Sequence, residues 1–204
     1  MTSTRHNPVL EEGFVTPLRG SSTSDTYLNA AREALLDLGW SRTTLTEIAR
    51  RAGVSRMTLY RAWPDMNSLL GDLMTREWAD VLTVSKAADH RERVVESVVG
   101  SVKALRGNEM FNRIIELDPE RLLPYLLQRQ GRSQELLVSF LAEGIRVGQA
   151  EGQIREGDAD LIADTILLQA HGFALSAQTF ADTDERIAQV DFQFTDALMR
   201  YLAP

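Results

Sequence analysis

The chain has 204 residues, 44% of them hydrophobic, and a formal net charge of -7, which is enough apolar content for one buried core or two small ones and too much for a disordered chain. It has no cysteine, which excludes a disulfide framework and a thiolate metal site. No apolar run approaches the length that spans a bilayer, and residues 1–20 carry charges and prolines where a signal peptide has its apolar stretch, so the reading is a cytoplasmic protein with no membrane partner.

In chain order, residues 1–23 hold Pro8, Gly13, Pro17, Gly20 and a Ser/Thr cluster without helical or strand period, and read as a flexible tail. Arg5 and Arg19 could serve a minor-groove arm, although a solvated terminus is the plainer account. Ser24 or Asp25 then caps a helix to about Leu38, with Leu28, Ala31, Leu35 and Leu38 inward and Gly39 at its end.

The stretch from Thr44 to Trp63 reads as two short helices joined by a tight turn. Thr44 followed by Glu47 predicts a reciprocal capping box. Leu45, Ile48, Ala49 and Ala52 share one face over about three turns, and Gly53 supplies the left-handed residue that stops the helix. Val54 fits the corner, and Ser55 caps a second helix that turns Leu59 and Trp63 inward. Its outer face then carries Arg56, Met57, Thr58, Tyr60 and Arg61, groups suited to base edges and phosphates. Between Trp40 and Trp63, five arginines (Arg42, Arg50, Arg51, Arg56 and Arg61) stand against Glu47 alone, a local balance of +4 that runs against the acidic total. Local sign, not total charge, determines where a polyanion binds.

These residues resemble the DNA-binding region of the TetR-type (tetracycline-repressor-like) transcriptional regulators. The positions at that family's spacing are Ala30-Ala31, Leu35, Gly39, Thr43-Thr44, Ile48-Ala49, Ala52-Gly53-Val54-Ser55, Thr58-Leu59-Tyr60, Trp63 and Leu69. The resemblance implies duplex DNA contacts by Thr43, Thr44, Ser55, Arg56, Met57, Thr58, Tyr60 and Arg61, with Arg56, Thr58 and Tyr60 nearest the bases. Two positions depart from it. Met66 replaces the usual Lys and removes one expected phosphate contact, and Met57 replaces a small residue or Pro and makes a bulkier reading surface.

Asp65 caps a helix to about Lys86 whose apolar positions, Leu69 to Leu82, give it two faces. From His90 the pattern is helical throughout: a valine stripe from Val94 to Leu105, a shorter run at Phe111, Ile114 and Ile115, a segment after Pro119 with a kink at Pro124, and three helices over Ser133–Glu151, Asp158–Phe180 and Asp184–Leu202. The fold class is all-α: residues 24–70 form a three-helix DNA-binding domain, and residues 71–204 a larger helical domain.

The resemblance implies that this larger domain dimerises and binds a small effector. Candidates for a pocket of apolar walls and polar tips are Trp78, Val98, Val102, Met110, Phe111, Tyr125, Leu126, Phe140 and His171, although core packing is the plainer account of each taken singly. Candidates for the homodimer seam are Leu141, Ile145, Ile166, Ala170, Phe173, Ala174 and Ala177, on a stripe that could also be an internal face. No nucleotide loop, nucleophile elbow or zinc-protease signature is present, and His6, His90 and His171 lack metal spacing. The reading is therefore not an enzyme and without cofactor or metal: a ligand-responsive regulator, with repression the expected mode, that binds a palindromic operator as a dimer and is released by an apolar or aromatic effector. The alternative is a helical protein-interaction module whose helix-turn-helix is only structural.

Overall fold

The computed structural model describes residues 22–204 apart from Thr83 and Arg129, and at Ser22, Tyr125 and Arg132 the backbone alone. The expected tail, with Arg5 and Arg19, lies outside the described residues except for Ser22 and Thr23, which already belong to the first helix. Among the described residues every regular element is helical, and no helix is long and apolar enough to cross a membrane.

The chain divides into two compact units, Met1–Asp80 and Val81–Pro204. The first holds α1 (Ser22–Leu38), α2 (Leu45–Arg51), α3 (Arg56–Ala62) and nearly all of α4 (Met66–Val81). Leu28, Ala31 and Leu35 of α1, Ile48 of α2, Leu59 of α3 and Leu69, Leu70 and Leu73 of α4 are buried and make its core. Polar ties reinforce this packing between α1 and α4. The buried Glu77 accepts from Nε of Arg32 at 3.3 Å, and Nη1 of Arg76 donates to Asn29 at 3.0 Å. The compact unit runs to Asp80, past residue 70, and so takes in all of α4 but its last residue. α4 also stops at Val81, short of Lys86.

The second unit contains α5 (His90–Arg106), α6 (Glu109–Leu117), a 3-10 turn Pro119–Arg121, α7 (Leu123–Leu127), α8 (Arg132–Ala150), α9 (Ala159–Ser176), a 3-10 turn Ala177–Thr179 and α10 (Asp184–Tyr201). α5 is the central helix, touching α8, α9 and α10. Its valines Val94, Val95, Val98, Val99 and Val102 pack with Ile145, Ile162, Ile166, Phe194 and Leu198. Asp89, Asn108, Asp158 and Thr183 cap α5, α6, α9 and α10 with side-chain oxygens. Pro124 lies in the first turn of α7, where its missing N–H costs nothing, and so begins a helix where a kink was expected.

A buried ion pair ties α5 to α10 across this core. Nη2 of Arg106 donates to both carboxylate oxygens of Asp191, at 2.6 and 2.7 Å, and both side chains are buried.

Candidate nucleic-acid interface

The reading surface is set by two caps and a turn. Thr44 has extended backbone and its hydroxyl accepts from the amide of Glu47 at 3.2 Å, so α2 starts where predicted, although at seven residues it is shorter than three turns. Only half of the capping box forms. The Glu47 carboxylate turns instead to Arg50, at 2.9 and 2.7 Å, and to Nε of Arg51 at 2.8 Å. These charged donors hold its pKa at about 2, against an ordinary 4.5, with the Arg50 bond the larger cause and the Arg51 bond next. At the other end, Gly53 takes φ +67, its N–H reaches the Arg50 carbonyl at 3.3 Å, and Val54 N–H reaches Ala49 at 3.0 Å. This is the Schellman pattern, which closes off α2 and aims the chain into α3.

α3 opens on Ser55, whose hydroxyl oxygen accepts from the Thr58 amide at 3.1 Å and meets the Thr58 hydroxyl at 2.8 Å. It ends at Trp63, extended because Pro64 follows. The Trp63 indole packs edge-on to Tyr27 at 6.1 Å and donates to Asp72 at 2.9 Å, which anchors the end of α3. Leu59 is buried while Ser55, Arg56, Met57, Thr58 and Arg61 are exposed and Tyr60 is half-buried, the division that the sequence predicts. Nη2 of Arg56 donates to the Tyr60 hydroxyl at 2.9 Å, with the guanidinium 5.1 Å from the ring centroid.

Two expectations change here. Thr43 is buried and donates its hydroxyl to the Gly39 carbonyl at 2.7 Å, which uses it to close the loop before α2 and removes it from the exposed set. The local charge is also smaller in effect than its count, because Arg50 is held by Glu47 and Arg51 by Glu47 and by Asp37 at 2.5 Å. Arg42, Arg56 and Arg61 are exposed and have no carboxylate partner among the described residues.

The second unit has a concave site of about 320 Å³ between α7, the start of α8 and α9, lined by Leu126, Leu127, Gln128, Gln130, Gln134, Asp164, Leu167, Leu168 and His171. Gln134 is fixed there: its amide oxygen accepts from Gly131 N–H at 2.8 Å, so its NH2 faces Nε2 of His171 at 3.2 Å. An amide NH2 only donates, so Nε2 accepts and the ring carries its proton on Nδ1. Burial, which pushes the His171 pKa down, favours the same neutral form.

Of the predicted pocket residues, Leu126 and His171 line this site. Val98, Val102, Met110 and Phe111 do not; they are buried core, the valines because α5 packs against α8, α9 and α10, and Met110 and Phe111 on the one buried face of α6. Phe140 is half-buried outside the lining, Trp78 belongs to the first unit, and the Tyr125 side chain lies outside the described residues. The residues of the predicted dimer seam lie largely inside the unit. Leu141, Ile145, Ile166, Ala174 and Ala177 are buried within the unit itself, Ala170 packs on that core, and Phe173 stacks on Phe194 at 3.9 Å. The apolar side chains left outside on the last two helices are Leu161 and Leu168 of α9, 64% and 71% exposed, and Phe192 of α10, 68% exposed.

Residues 28–73 match the family described as bacterial regulatory proteins, tetR family. An uncharacterized HTH-type transcriptional regulator of Mycobacterium tuberculosis (strain ATCC 25618 / H37Rv) is 38% identical over 183 residues, covering 89% of this chain and 95% of that protein. Among solved structures, the flavonoid-responsive regulator FrrA superposes with a TM-score of 0.64 at 24% identity, covering 91% of this chain and 99% of its own. SmeT, the repressor of the Stenotrophomonas maltophilia multidrug efflux pump SmeDEF, does so with a TM-score of 0.64 at 18% identity, covering 90% and 92%. At these identities the two structures speak for the fold.

Proposed function

The chain belongs to the tetR family of bacterial regulatory proteins, and from that premise we propose that it is a ligand-responsive repressor that holds a palindromic operator as a homodimer and releases it when a small molecule binds. It is a transcriptional regulator and not an enzyme. The observation that carries the DNA reading is the outer face of α3, where Arg56, Met57, Thr58 and Arg61 stand exposed on a helix anchored by Leu59 and Trp63. Arg56, Thr58 and Tyr60 contact bases, while Thr44, Ser55 and Arg61 hold the backbone.

One α3 covers only a few base pairs, and dimers of this motif bind half-sites one helical turn or a multiple apart. The exposed Leu161, Leu168 and Phe192 supply the apolar area for that dimer. The concave site at Leu126 and His171 is the effector site, with apolar walls and a neutral imidazole suited to an uncharged, largely apolar molecule. FrrA and SmeT, named for flavonoid response and for repression, lend support by analogy.

The test is selection of duplexes from a randomised pool by the purified chain. Enriched sequences sharing an inverted repeat support the reading. Enrichment of none, or of an unsymmetrical site bound by one copy, overturns it.

A further inference from the structure

Met57 is the one large hydrophobic side chain that the first unit leaves exposed among its described residues, at 67%. The others on α2 and α3, Leu45, Ile48, Leu59 and Trp63, are all buried. Its direction is fixed by the helix. At about 100° per residue, Met57 stands roughly 200° around α3 from the buried Leu59, so it projects nearly straight away from the core. Its neighbours are polar and lean to either side of it. The guanidinium of Arg56 is drawn onto Tyr60, and the Thr58 hydroxyl is turned toward Ser55. The group at the tip of the reading helix is therefore an apolar, unbranched and polarisable thioether.

We propose that Met57 is a specificity-determining residue that packs against the 5-methyl group of a thymine in each operator half-site. In the major groove, that methyl is the apolar feature distinguishing thymine from the other three bases. A flexible thioether adapts to such a target better than a branched side chain does. Water is displaced from both apolar surfaces when they meet, so the contact rewards thymine at one position and gives nothing to cytosine, which has no methyl. This inference rests on the reading of α3 as the base-reading helix and adds which base its most outward residue selects.

The test uses the full chain and an operator selected from the randomised pool. Each thymine is replaced in turn, symmetrically in both half-sites, by deoxyuridine, which keeps base pairing and removes only the methyl. Affinities are measured for wild type, Met57→Ala and Met57→Leu. An exposed side chain can be changed without disturbing the core, and circular dichroism checks that all three proteins fold alike. Wild type should lose about four-fold in affinity per half-site at one thymine position, the worth of one buried methyl. Met57→Leu should lose affinity at that position too, while Met57→Ala should be indifferent to the methyl there. Equal deoxyuridine penalties in wild type and Met57→Ala, or no penalty at any thymine, overturn this inference alone. A pool from which no duplex is enriched overturns the operator reading as well, so the two failures are distinguishable.

Discussion

The carboxylate of Glu47 takes two hydrogen bonds from Arg50, at 2.9 and 2.7 Å, and so occupies an arginine that the sequence offers to DNA. It also holds Arg51. Glu47→Gln leaves the Thr44 cap in place, because that bond is made to the Glu47 amide. The substitution should free Arg50 fully and Arg51 in part, since Asp37 remains. Affinity for unrelated duplexes should then rise, and the slope of log affinity against log salt should steepen by about one per new phosphate contact. Anisotropy titrations at several salt concentrations measure both.

The same carboxylate makes an acid-sensitive contribution to folding. Its folded pKa of about 2 lies below the ordinary 4.5, so ionised Glu47 stabilises the fold above about pH 4.5, and that contribution is lost as pH falls toward 2. Denaturant midpoints for wild type and Glu47→Gln should therefore differ most near neutrality and converge across that window. A difference that stays constant from neutral pH to pH 2 would mean that Glu47 acts through something other than its charge.

Arg106 and Asp191 are both buried and tie α5 to α10. Asp191→Ala leaves a guanidinium buried with Lys103 as its neighbour at the lost carboxylate, and should cost about 3–5 kcal/mol in urea unfolding. Replacing the pair together, with Arg106→Met and Asp191→Leu, should recover most of that loss, since two apolar groups need no partner.

Assembly separates the outer face of α9 and α10 from the inner one. Leu161→Glu with Phe192→Glu should leave helix content unchanged, because both sites are exposed, and should give monomers in sedimentation with operator affinity down roughly a hundred-fold or more. Phe173→Asp should instead destabilise the unit, since Phe173 stacks on the fully buried Phe194 and a charge there goes unpaired.

Much of this molecule is legible in sequence where local rules act alone. Thr44, Gly53 and Ser55 each set their helix end through backbone chemistry within a few residues, and the inward turn of Leu59 and Trp63 follows from helical period. The partners of Glu47 were not legible: a carboxylate at that position can reach a backbone N–H or a guanidinium one turn on, and the charged donors win. Val98 and Val102 look like pocket walls until α5 is seen between α8, α9 and α10, which leaves their faces no free space. The predicted seam residues turn inward for a related reason. Ile166 and Ala174 form the tidier stripe because it packs inward, and the exposed apolar side chains of α9 are the sparser Leu161 and Leu168.

The central claim is that α3 reads a specific operator, and the most direct measurement compares wild type with Arg56→Ala on the selected operator and on a scrambled duplex of equal length. Arg56 is exposed, so its loss leaves the fold intact. The account predicts a loss of about 1–3 kcal/mol in binding the operator, with a relaxed preference at one base position and little change on the scrambled duplex. An equal loss on both duplexes would make Arg56 a phosphate contact, and no loss on either would contradict the assignment of α3 as the reading helix.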